Sequence, residues 1–579
     1  MVSSVGRLAL GRGPVSCRAC TLRCSLCSPA PRYNVLGGRR EARARPPGEN
    51  RERTRAASAS EDGGSMVAKK PRVVVVGAGV AGLAAACRLC AAGADRFEVA
   101  VVEAGARAGG RVLTAEFAGH RVEMGATWVQ GVDGSPVHAL ARDAGALGGL
   151  GCGGKDGGGG DAASVLPFER MDGFPDRVLT VAEGGDVVDA DRVAGPVEEL
   201  YRGMMEAARA GDAGAGGGVE EYLRRGLRAY QAVRPTPAGA TAGEANKELE
   251  EIEEALLAMH INRERTDTSA DDLSALDLAA EGEYRDFPGE HVTIPSGYSR
   301  VVDHLVAALP PGTVRFGLRL HRLDWSEAPV RLHFADGAPV IAADHVILTV
   351  SLGVLKASLG GKDASAAGAI AFDPPLPQFK REAVARLGFG VVNKLFMEVE
   401  PAAEAPEPEG GGGQPPEFPF LHMAFRGHVS QIPWWMRGTE SICPVHAGSR
   451  VALAWFAGRE AAHLESLPDD EVVRGVNATL DSFLPGPPRW RVKRVKRSGW
   501  ASDPLFLGSY SYVAVGSSGE DLDRMAEPLP RGPAAADGRA PPPRVLFAGE
   551  ATHRTYYSTT HAAYLSGVRE AERLLQHYH

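Results

Sequence analysis

The sequence predicts an α/β protein that begins with a Rossmann-type dinucleotide-binding unit. An apolar, β-branched run at 73–76 leads directly into the glycine motif G-x-G-x-x-G at 77–82. Helix-forming residues follow at 83–89, and a second strand predicted at 97–102 ends on Glu103, 21 residues after the last glycine of the motif. A strand, a glycine turn, a helix and an acidic residue at this spacing are typical of a dinucleotide site.

Each residue of this motif has a physical role. Gly77 permits a tight turn, Gly79 lets the backbone approach a pyrophosphate closely, and Gly82 lets the helix pack against the strand. Glu103 is placed to accept a hydrogen bond from a ribose hydroxyl, and a carboxylate at that position disfavours a 2′-phosphate. The motif therefore indicates a dinucleotide cofactor other than NADP.

A second glycine-lined segment distinguishes FAD from NAD. Residues 107–111 read RAGGR, which combines a close backbone approach with two guanidinium groups, Arg107 and Arg111. Guanidinium groups bind phosphate oxygens in a bidentate manner. A nicotinamide enzyme has no need of this second approach, so the segment favours FAD.

Two further motifs carry a resemblance to a known family. Residues 122–131 read VEMGATWVQG, and residues 545–561 read VLFAGEATHRTYYSTTH. In these motifs the chain resembles the FAD-dependent amine oxidases, and among them the plant polyamine oxidases of the spermine/thermospermine type. Apart from glycine-rich insertions, the resemblance runs from about residue 66 to residue 578. The other segments that carry it lie at 269–277, 287–290, 349–356, 388–396, 432–435 and 500–519.

The resemblance implies a glutathione-reductase-like fold. In that fold an FAD-binding, Rossmann-type domain is interleaved with an α+β substrate-binding domain. We expect the FAD-binding domain to comprise residues 66–140, 291–350 and 500–579. The substrate-binding domain then comprises residues 141–290 and 351–499.

Local patterns predict several elements between the motifs. Glycine- and proline-rich tracts contain too few bulky apolar residues to offset the entropy of ordering, so they predict surface insertions. The tracts lie at 145–160, 207–218, 404–416 and 531–543. Apolar spacing predicts a helix at 244–262, short strands within 314–350 with a turn at 336–337, and a closing helix at 570–578.

The resemblance implies which residues contact FAD. Glu550, after Gly549, resembles the family's second FAD-binding acid. Leu320 matches a position whose backbone contacts the adenine, although an ordinary strand residue explains Leu320 nearly as well. The other positions expected at the cofactor are Arg111, Gly125, Ala126, Thr127, Trp500 and Thr559.

The cysteines bear on how FAD is held. The related monoamine oxidases attach their flavin covalently through a C-terminal cysteine. Here Ser509 stands at that place, and no cysteine follows Cys443. We therefore expect FAD to be bound non-covalently.

Lys394 is the candidate catalytic residue. It lies in an otherwise apolar strand pattern, VVNKLF at 391–396, where its ammonium group is desolvated unless it meets a partner. By resemblance, its family counterpart holds a water molecule near flavin N5. The alternative is a surface lysine whose apolar stem alone is buried.

Five residues are candidates for contact with the substrate. Trp128 and Tyr510 match aromatic tunnel positions, which suit a polymethylene chain that carries ammonium groups; the alternative is that they are ordinary core residues. Gln130 stands where relatives have histidine or glutamate, so it neither titrates nor pairs with an ammonium ion. Glu281 and Glu283 are candidate acids for distal amines, and exposed loop charges are the equal alternative.

The implied activity is oxidation of a polyamine. The C–H bond beside the reacting nitrogen gives hydride to flavin N5, and hydrolysis of the imine yields a shorter amine and an aminoaldehyde. Dioxygen reoxidises the flavin to form hydrogen peroxide, unless another acceptor makes the enzyme a dehydrogenase.

Two alternative functions stay open: an oxidase of monoamines or L-amino acids, and a catalytically silent flavin-binding protein. The silent protein would be expected to lose Lys394 or Glu550, and both are present.

Composition limits the partners. The 579-residue chain is 44% hydrophobic and 23% charged, with a formal charge of −8. Residues 1–65 contain 12 arginines and 5 acidic residues, so the remainder carries about −15. An acidic body attracts cations and repels nucleic acid, and no apolar run reaches the ~20 residues of a membrane span. We expect neither nucleic-acid nor membrane binding, and we favour a monomer.

Residues 1–65 have two interpretations. Their arginine-, alanine- and serine-rich composition is typical of an organelle transit peptide, which would direct the chain to a plastid. Alternatively, translation begins at Met66 and the enzyme is cytoplasmic. The segment also holds CxxC-x₃-CxxC at 17–27, whose spacing is too short for common zinc sites and has no histidine nearby, so we expect no metal.

Overall fold

The computed structural model describes residues 70–147, 178–214, 216–234, 242–363, 367–402, 416–446, 448–487, 489–531 and 541–579. The helices are α1 (Val80–Ala91), α2 (Pro136–Asp143), α3 (Gly195–Ala210), α4 (Val219–Val233), α5 (Ala242–Thr268), α6 (Ser299–Ala307), α7 (Leu352–Ala357), α8 (Gln378–Arg386), α9 (Gly458–Ser466), α10 (Asp469–Phe483), α11 (Gly519–Ala526) and α12 (Thr560–His577). The strands are β1 (Arg72–Val76), β2 (Glu98–Val102), β3 (Thr114–Phe117), β4 (His120–Glu123), β5 (Trp128–Val129), β6 (Val178–Ala182), β7 (Val292–Thr293), β8 (Val314–Arg315), β9 (Leu320–Asp324), β10 (Val330–Phe334), β11 (Ile341–Ala343), β12 (His345–Leu348), β13 (Ala371–Asp373), β14 (Gly388–Gly390), β15 (Val392–Pro401), β16 (Phe420–Ala424), β17 (Ser441–Pro444), β18 (Val451–Ala457), β19 (Trp490–Arg497), β20 (Tyr510–Tyr512) and β21 (Val545–Phe547). Short helical turns lie at Ala190–Ala194, Ala280–Gly282, Ser358–Asp363, Trp434–Gly438 and Glu550–Thr552.

The predicted strand, turn and helix at the start form the centre of a parallel sheet. Its strand order is β21-β12-β1-β2-β8, and each neighbouring pair is parallel. Val73 and Val75 of β1 enter a core with α1, α6 and α12, whereas Val74 and Val76 enter a second core with β9 and β10. Because both faces of β1 are covered from Val73 to Val76, all four of these positions are apolar, as the sequence pattern indicates.

The closing helix backs the first helix directly. α12 begins at Thr560, ten residues before the predicted start at 570, and it packs against α1. A Cβ atom at Gly567 would lie 2.0 Å from the carbonyl oxygen of Ala81, so only glycine allows this approach. The N-terminal half of α12 is therefore determined by tertiary packing rather than by its intrinsic helix propensity.

A second layer is built on a six-stranded sheet with the order β19-β15-β18-β17-β16-β6. Helices α9 and α10 share one core with this sheet. Helices α3, α4 and α5 form a further cluster that reaches β16 through Ala424. This sheet thus lies between two helical layers, and one of them, that of α5, adjoins the candidate site.

The strands of the two sheets come from the ranges that the sequence analysis assigned to two domains. Residues 68–579 nevertheless form one compact unit, and the predicted domain boundaries stay a prediction. No helix in the described part of the chain combines the length and apolar character needed to cross a membrane.

Other local predictions have mixed outcomes. The helix predicted at 244–262 is α5, and the predicted turn is present because Asp336 and Gly337 both adopt positive φ, 59° and 72°. The tract at 207–218 is partly helical, since α3 continues to Ala210. The other three tracts lie largely outside the described residues, as do the N-terminal segment 1–65 and its cysteine pattern.

Candidate active site

A cavity of about 1110 Å³ connects the carboxyl edge of the parallel sheet with the six-stranded sheet. At one end it is lined by the glycine turn after β1 and by Glu103 after β2. At the other end it is lined by Lys394 of β15 and Trp455 of β18. Ligands of open α/β sheets bind at the carboxyl ends of the strands, so this cavity is the candidate active site.

The glycine turn has the geometry that its motif predicts. Gly77 has a φ of +106°, and a Cβ atom at Gly82 would lie 2.0 Å from the carbonyl oxygen of Gly77. A Cβ atom at Gly79 would meet no other atom within 4 Å, because that position opens on the cavity. The turn therefore offers an open cradle for a pyrophosphate.

Glu103 is held at the edge of this cradle. Its carboxylate accepts hydrogen bonds from the backbone N–H of Ala78 and of Gly105, both at 2.7 Å. These contacts fix the carboxylate beside the cavity, where it is placed to receive a ribose hydroxyl.

The two arginines of the RAGGR segment are engaged with protein groups and not free to bind phosphate as expected. Arg107 does not line the cavity; it donates to the carbonyl oxygens of Ala108, Gly110 and Val112, so it shapes the turn instead of binding phosphate. Arg111 lines the cavity but forms an ion pair with Glu550 at 2.9 Å. Its guanidinium is thus oriented by a carboxylate rather than free for bidentate phosphate contact.

Glu550 is a buried organising group of the site. Besides Arg111, it accepts hydrogen bonds from the hydroxyl of Ser511 at 2.6 Å and the N–H of Ser558 at 3.1 Å. Gly549, the residue before it, also lines the cavity. Glu550 therefore joins the segments 509–511 and 558–560 around the cofactor end.

Lys394 is buried, which contradicts the alternative of a surface lysine. Its Nζ donates to the carbonyl oxygens of Glu123 and Gly125, each at 2.6 Å, and to the hydroxyl of Thr127. Burial lowers the pKa of Lys394 and raises that of the Glu123 carboxyl nearby. Lys394 thus fixes the segment that contains Gly125, Ala126 and Thr127, all of which line the cavity.

The predicted aromatic residues all line the cavity, and further aromatic residues join them. Trp500 is buried and donates from Nε1 to the carbonyl oxygen of Met124 at 3.0 Å. Tyr510 donates its hydroxyl to the carbonyl oxygen of Thr266. Trp128 is half-buried. Trp455, which the sequence analysis missed, also lines the cavity, as do Tyr284, Phe420, Phe506, Tyr512 and Tyr557. Trp455 lies in an apolar strand. The sequence signal available was its position next to Phe456, because successive side chains of a strand point to opposite faces and only one of the two can face the core.

Three further predicted residues also lie on the wall. Gln130 lines the cavity, and Leu320 does so at the first position of β9 while its side chain enters the core. Thr559 lines it too, but its hydroxyl caps α12 by accepting from Ala562 N–H at 3.1 Å. Ser509, at the place of the tethering cysteine, bonds the backbone of Val392.

The two candidate acids, Glu281 and Glu283, lie in different surroundings. Glu281 is buried, not an exposed loop charge; it lines the cavity 3.7 Å from Arg209, and burial raises its pKa. Glu283 does not line the cavity and forms an ion pair with Arg554 at 2.7 Å, so the structure does not bring it to the candidate site. The chain brings only the first of the pair to the site.

Several charged residues of the wall were not predicted. Four of them come from α5 and from the residue before β17: Arg263, Glu264, Asp267 and Glu440. The others are Glu198, Arg209, Arg285, Asp286 and Arg319. The sequence signal available was three charged residues close together near the end of an amphipathic helix. Within the described residues, no cluster of histidine, cysteine, aspartate or glutamate is arranged to hold a metal ion.

The fold and the site define a dinucleotide-dependent oxidoreductase, because a Rossmann-type glycine cradle opens into a large cavity with aromatic walls. Residues 80–575 match the family of flavin containing amine oxidoreductases, and the chain belongs to this family. It is an FAD-dependent amine oxidoreductase. The open cradle at Gly79, beside the fixed Glu103 carboxylate, fits the nucleotide part of FAD.

Individual relatives are similar over nearly their whole length. Polyamine oxidase 1 of rice (Oryza sativa subsp. japonica) is 80% identical over 519 residues, 89% of this chain and 98% of the relative. Probable polyamine oxidase 5 of Arabidopsis thaliana is 41% identical, over 88% of this chain and 99% of the relative. A solved putrescine oxidase bound to putrescine matches with a TM-score of 0.55 and 18% identity over 88% of this chain and 99% of its own, which shows the fold alone.

Proposed function

We propose that the protein is a polyamine oxidase that converts spermine or thermospermine to spermidine and 3-aminopropanal. The observation that carries this proposal is the combination of aromatic walls and carboxylates in one cavity that begins at the glycine cradle. Aromatic surfaces bury a polymethylene chain, and carboxylates bind its ammonium groups. The names of the rice and Arabidopsis relatives support the same substrate class.

The reaction balances with dioxygen and water as co-reactants. The secondary amine loses a hydride from the carbon beside nitrogen and a proton from nitrogen, and water hydrolyses the resulting imine to the aldehyde and the shorter amine. Dioxygen takes up the two electrons and two protons to form hydrogen peroxide. When bound, FAD supplies the electron acceptor for the C–H oxidation.

The residues of the chain position the amine and exclude water. Trp128, Trp455 and Trp500 form apolar walls, which favour the uncharged amine at the reacting nitrogen because an ammonium ion there would be desolvated. Lys394 holds the carbonyl oxygens of Glu123 and Gly125 and so fixes this segment of the wall. Gln130 contributes a neutral amide, so no titrating group acts at that position.

An L-amino acid oxidase fits the cavity less well. Such an enzyme needs a cationic group that faces the substrate carboxylate. Arg209 of the wall lies 3.3 Å from Glu264 and 3.7 Å from Glu281, and Arg263 lies 3.9 Å from Asp267. These two arginines are already matched by carboxylates, so the part of the wall around them favours a cationic substrate.

The test is product analysis with a panel of amines. Purified protein is incubated with spermine, thermospermine, spermidine, their acetylated forms, benzylamine and L-amino acids, and products and peroxide are measured. We expect spermidine and 3-aminopropanal from the tetra-amines, with one peroxide per turnover. Turnover of benzylamine or an L-amino acid without turnover of any polyamine would overturn the proposal, and product without peroxide would indicate a dehydrogenase.

We further propose that the enzyme is a cytoplasmic monomer translated from Met66, with FAD bound non-covalently. The plastid alternative is tested by N-terminal sequencing of the protein isolated from its cells. A mature N-terminus within residues 1–65, or import into isolated plastids, would favour the alternative.

A further inference from the structure

Asn393 is a fully buried residue that directly precedes Lys394 on β15. Successive side chains of a strand point to opposite faces of the sheet, so Asn393 faces α9 whereas Lys394 faces the cavity. The reaction makes no direct use of the Asn393 amide. A buried amide is costly unless its polar atoms find partners, so its contacts indicate what it holds in place.

The amide of Asn393 makes four hydrogen bonds. Its Nδ2 donates to the carbonyl oxygen of Ala461 at 3.1 Å and to the carboxylate of Glu465 at 2.6 Å. Its Oδ1 accepts from the hydroxyl of Ser498 at 2.9 Å and from the backbone N–H of Trp500 at 3.2 Å. An asparagine side chain has two donors and two acceptor positions, so all four are occupied.

Ser498 connects this amide to the backbone of Lys394. The Ser498 hydroxyl accepts from the N–H of Lys394 at 2.9 Å while it donates to Asn393. The N–H of Ser498 also donates to the carbonyl oxygen of Lys394 at 3.1 Å. Asn393 therefore reaches the backbone of Lys394 through one hydroxyl, and it bonds that of Trp500 directly.

Glu465 of α9 attaches the same amide to the chain after β19. Besides Asn393, its carboxylate accepts from the backbone N–H groups of Ala501 at 2.8 Å and Ser502 at 2.9 Å. The segment that carries Trp500 is thus held on both sides of the tryptophan. Its position relative to β15 is set by side chains that face away from the cavity.

The side chains of Lys394 and Trp500 hold three successive carbonyl oxygens of one segment. Lys394 Nζ donates to the oxygens of Glu123 and Gly125. Trp500 Nε1 donates to the oxygen of Met124, which lies between them in the chain. A Cβ atom at Gly125 would lie 3.2 Å from the ring of Trp500, so the ring packs closely on this segment. The relative position of the two donors therefore sets the position of this part of the cavity wall.

We infer that Asn393 is a positioning residue for the flavin site. Its hydrogen bonds fix Lys394 and Trp500 relative to each other, and these two residues then fix the wall at 123–125. Neither Asn393 nor Ser498 lines the cavity, so both act through residues that do. The inference requires no particular amine as substrate.

Ser498→Ala tests the connection with the smallest change of volume. It removes the hydroxyl between Lys394 and Asn393 and leaves the side chains of the cavity wall intact. Asn393→Ala is the second variant, because it removes both links at once. Ser449→Ala is the matched control: the Ser449 hydroxyl is also buried, donates to one carbonyl oxygen and accepts from one N–H, both of Val451, and does not line the cavity.

Three measurements on the FAD-loaded proteins separate positioning from stability. Visible circular dichroism of the bound flavin reports its surroundings without any amine. Stopped-flow absorbance gives the rates of anaerobic flavin reduction by spermine and of reoxidation by dioxygen after reduction with dithionite. Thermal melts give the loss of stability.

We expect Ser498→Ala and Asn393→Ala to change the flavin dichroism and to slow at least one half-reaction by about fivefold or more, because small displacements of positioned groups have large effects on rate. Ser449→Ala should lower the melting temperature to a similar extent and keep the wild-type dichroism and rates. Wild-type dichroism and rates in both site variants, or equal changes in Ser449→Ala, would overturn the inference.

A double variant tests the route through Lys394. In the Lys394→Met background, Ser498→Ala should slow the same half-reaction by less than about twofold, because the side chain that it positions is absent. An undiminished effect there would overturn this route. If spermine does not reduce the wild type, the proposed substrate is wrong, and the dichroism and the reoxidation rates still decide the role of Asn393.

Discussion

The ammonium group of Lys394 lies 4.3 Å from the ring centroid of Trp455, its direct partner on the neighbouring antiparallel strand. A cation at this distance from an indole face is attracted by the ring quadrupole. Together with two carbonyl oxygens and the hydroxyl of Thr127, the ring surrounds an ammonium group that has left water. The lysine thus stays buried through polar contacts on one side and aromatic contact on the other.

Lys394→Met should retain FAD but slow anaerobic flavin reduction or reoxidation by at least about tenfold, a barrier increase of about 1.4 kcal/mol. The substitution leaves the carbonyl oxygens of Glu123 and Gly125 without their donor, so the segment beside the cofactor loses its fixed position. Stopped-flow absorbance measures both half-reactions. Lys493→Met is the control, because that lysine lies on β19 with its side chain 58% exposed. Unchanged rates in both half-reactions would show that Lys394 serves packing alone.

Glu103→Ala should lower FAD occupancy, because it removes a charged acceptor at the cradle, and such a hydrogen bond contributes about 1.5–3 kcal/mol. Glu550→Ala should also lower FAD occupancy, and it removes the ion-pair partner of Arg111. The ratio of flavin to protein absorbance at limiting FAD gives the occupancy. Glu116→Ala on β3 is the control, since its side chain is 70% exposed. Full occupancy in both site variants would contradict the assignment.

Acid precipitation of the purified protein should release intact FAD into the supernatant. Ser509 is engaged with the backbone of Val392, and the described cysteine on the cavity wall, Cys443, has its thiol pKa raised to about 12 by burial. A thiol held neutral is a poor nucleophile, so no tether forms there. Chromatography of the supernatant measures the flavin. Flavin that stays with the pelleted protein would show a covalent link.

Glu440→Gln should stabilise the cofactor-loaded, substrate-free protein at pH 8 but not at pH 5. The pKa of Glu440 in the folded protein is about 7, above its usual value of 4.5. The protonated carboxyl therefore contributes its full stability to the folded protein below pH 4.5, and this contribution is lost as the pH rises through 7. The charged groups around it are Arg263, Glu264 and Asp267, and the thiol of Cys443, held neutral by burial, is a further titratable neighbour.

The expected gain at pH 8 is on the order of 1–3 kcal/mol, because glutamine avoids burying an ionised group. Thermal melts at both pH values measure it, with Glu251→Gln as the matched control, because the Glu251 side chain is exposed on α5. A gain of equal size at pH 5 would mean that the side-chain change, and not the charge, stabilises the protein.

Lys380→Met should lower the free energy of unfolding by about 2–4 kcal/mol. Lys380 is fully buried, and its Nζ donates to the carbonyl oxygens of Arg524, Met525 and Glu527 at the end of α11. The variant leaves these three acceptors without their donor. Urea denaturation measures the loss, and Lys356→Met, which removes one exposed contact to Ala385, should change stability by less than about 1 kcal/mol.

The nucleotide end of the site was predictable because its signals are local. The strand, the turn at Gly77 and the acid at Glu103 lie within about 30 residues, and each has a conformational or chemical reason that a short pattern displays. Lys394 was predictable for a related reason: one charge inside an apolar strand has few physical explanations.

The substrate end depends on contacts between distant segments. Glu281 follows a loop-like pattern, yet tertiary packing buries it beside Arg209, and Glu440 reaches the same space from a separate part of the chain. No local period marks a residue that faces a cavity rather than a core. The early start of α12 has a similar origin, because packing against α1 overrides the low helix propensity of Ser566 and Gly567.

The contact of Gly567 with Ala81 limits how early the protein can fold during its synthesis. The first helix emerges from the ribosome well before the helix that covers it and before the outer strand β21. Contacts this distant in sequence form slowly and leave apolar surface uncovered in the meantime. The nascent chain therefore cannot complete its cofactor pocket until β21 and α12 have been made, and we expect stable capture of the flavin to wait for these two elements.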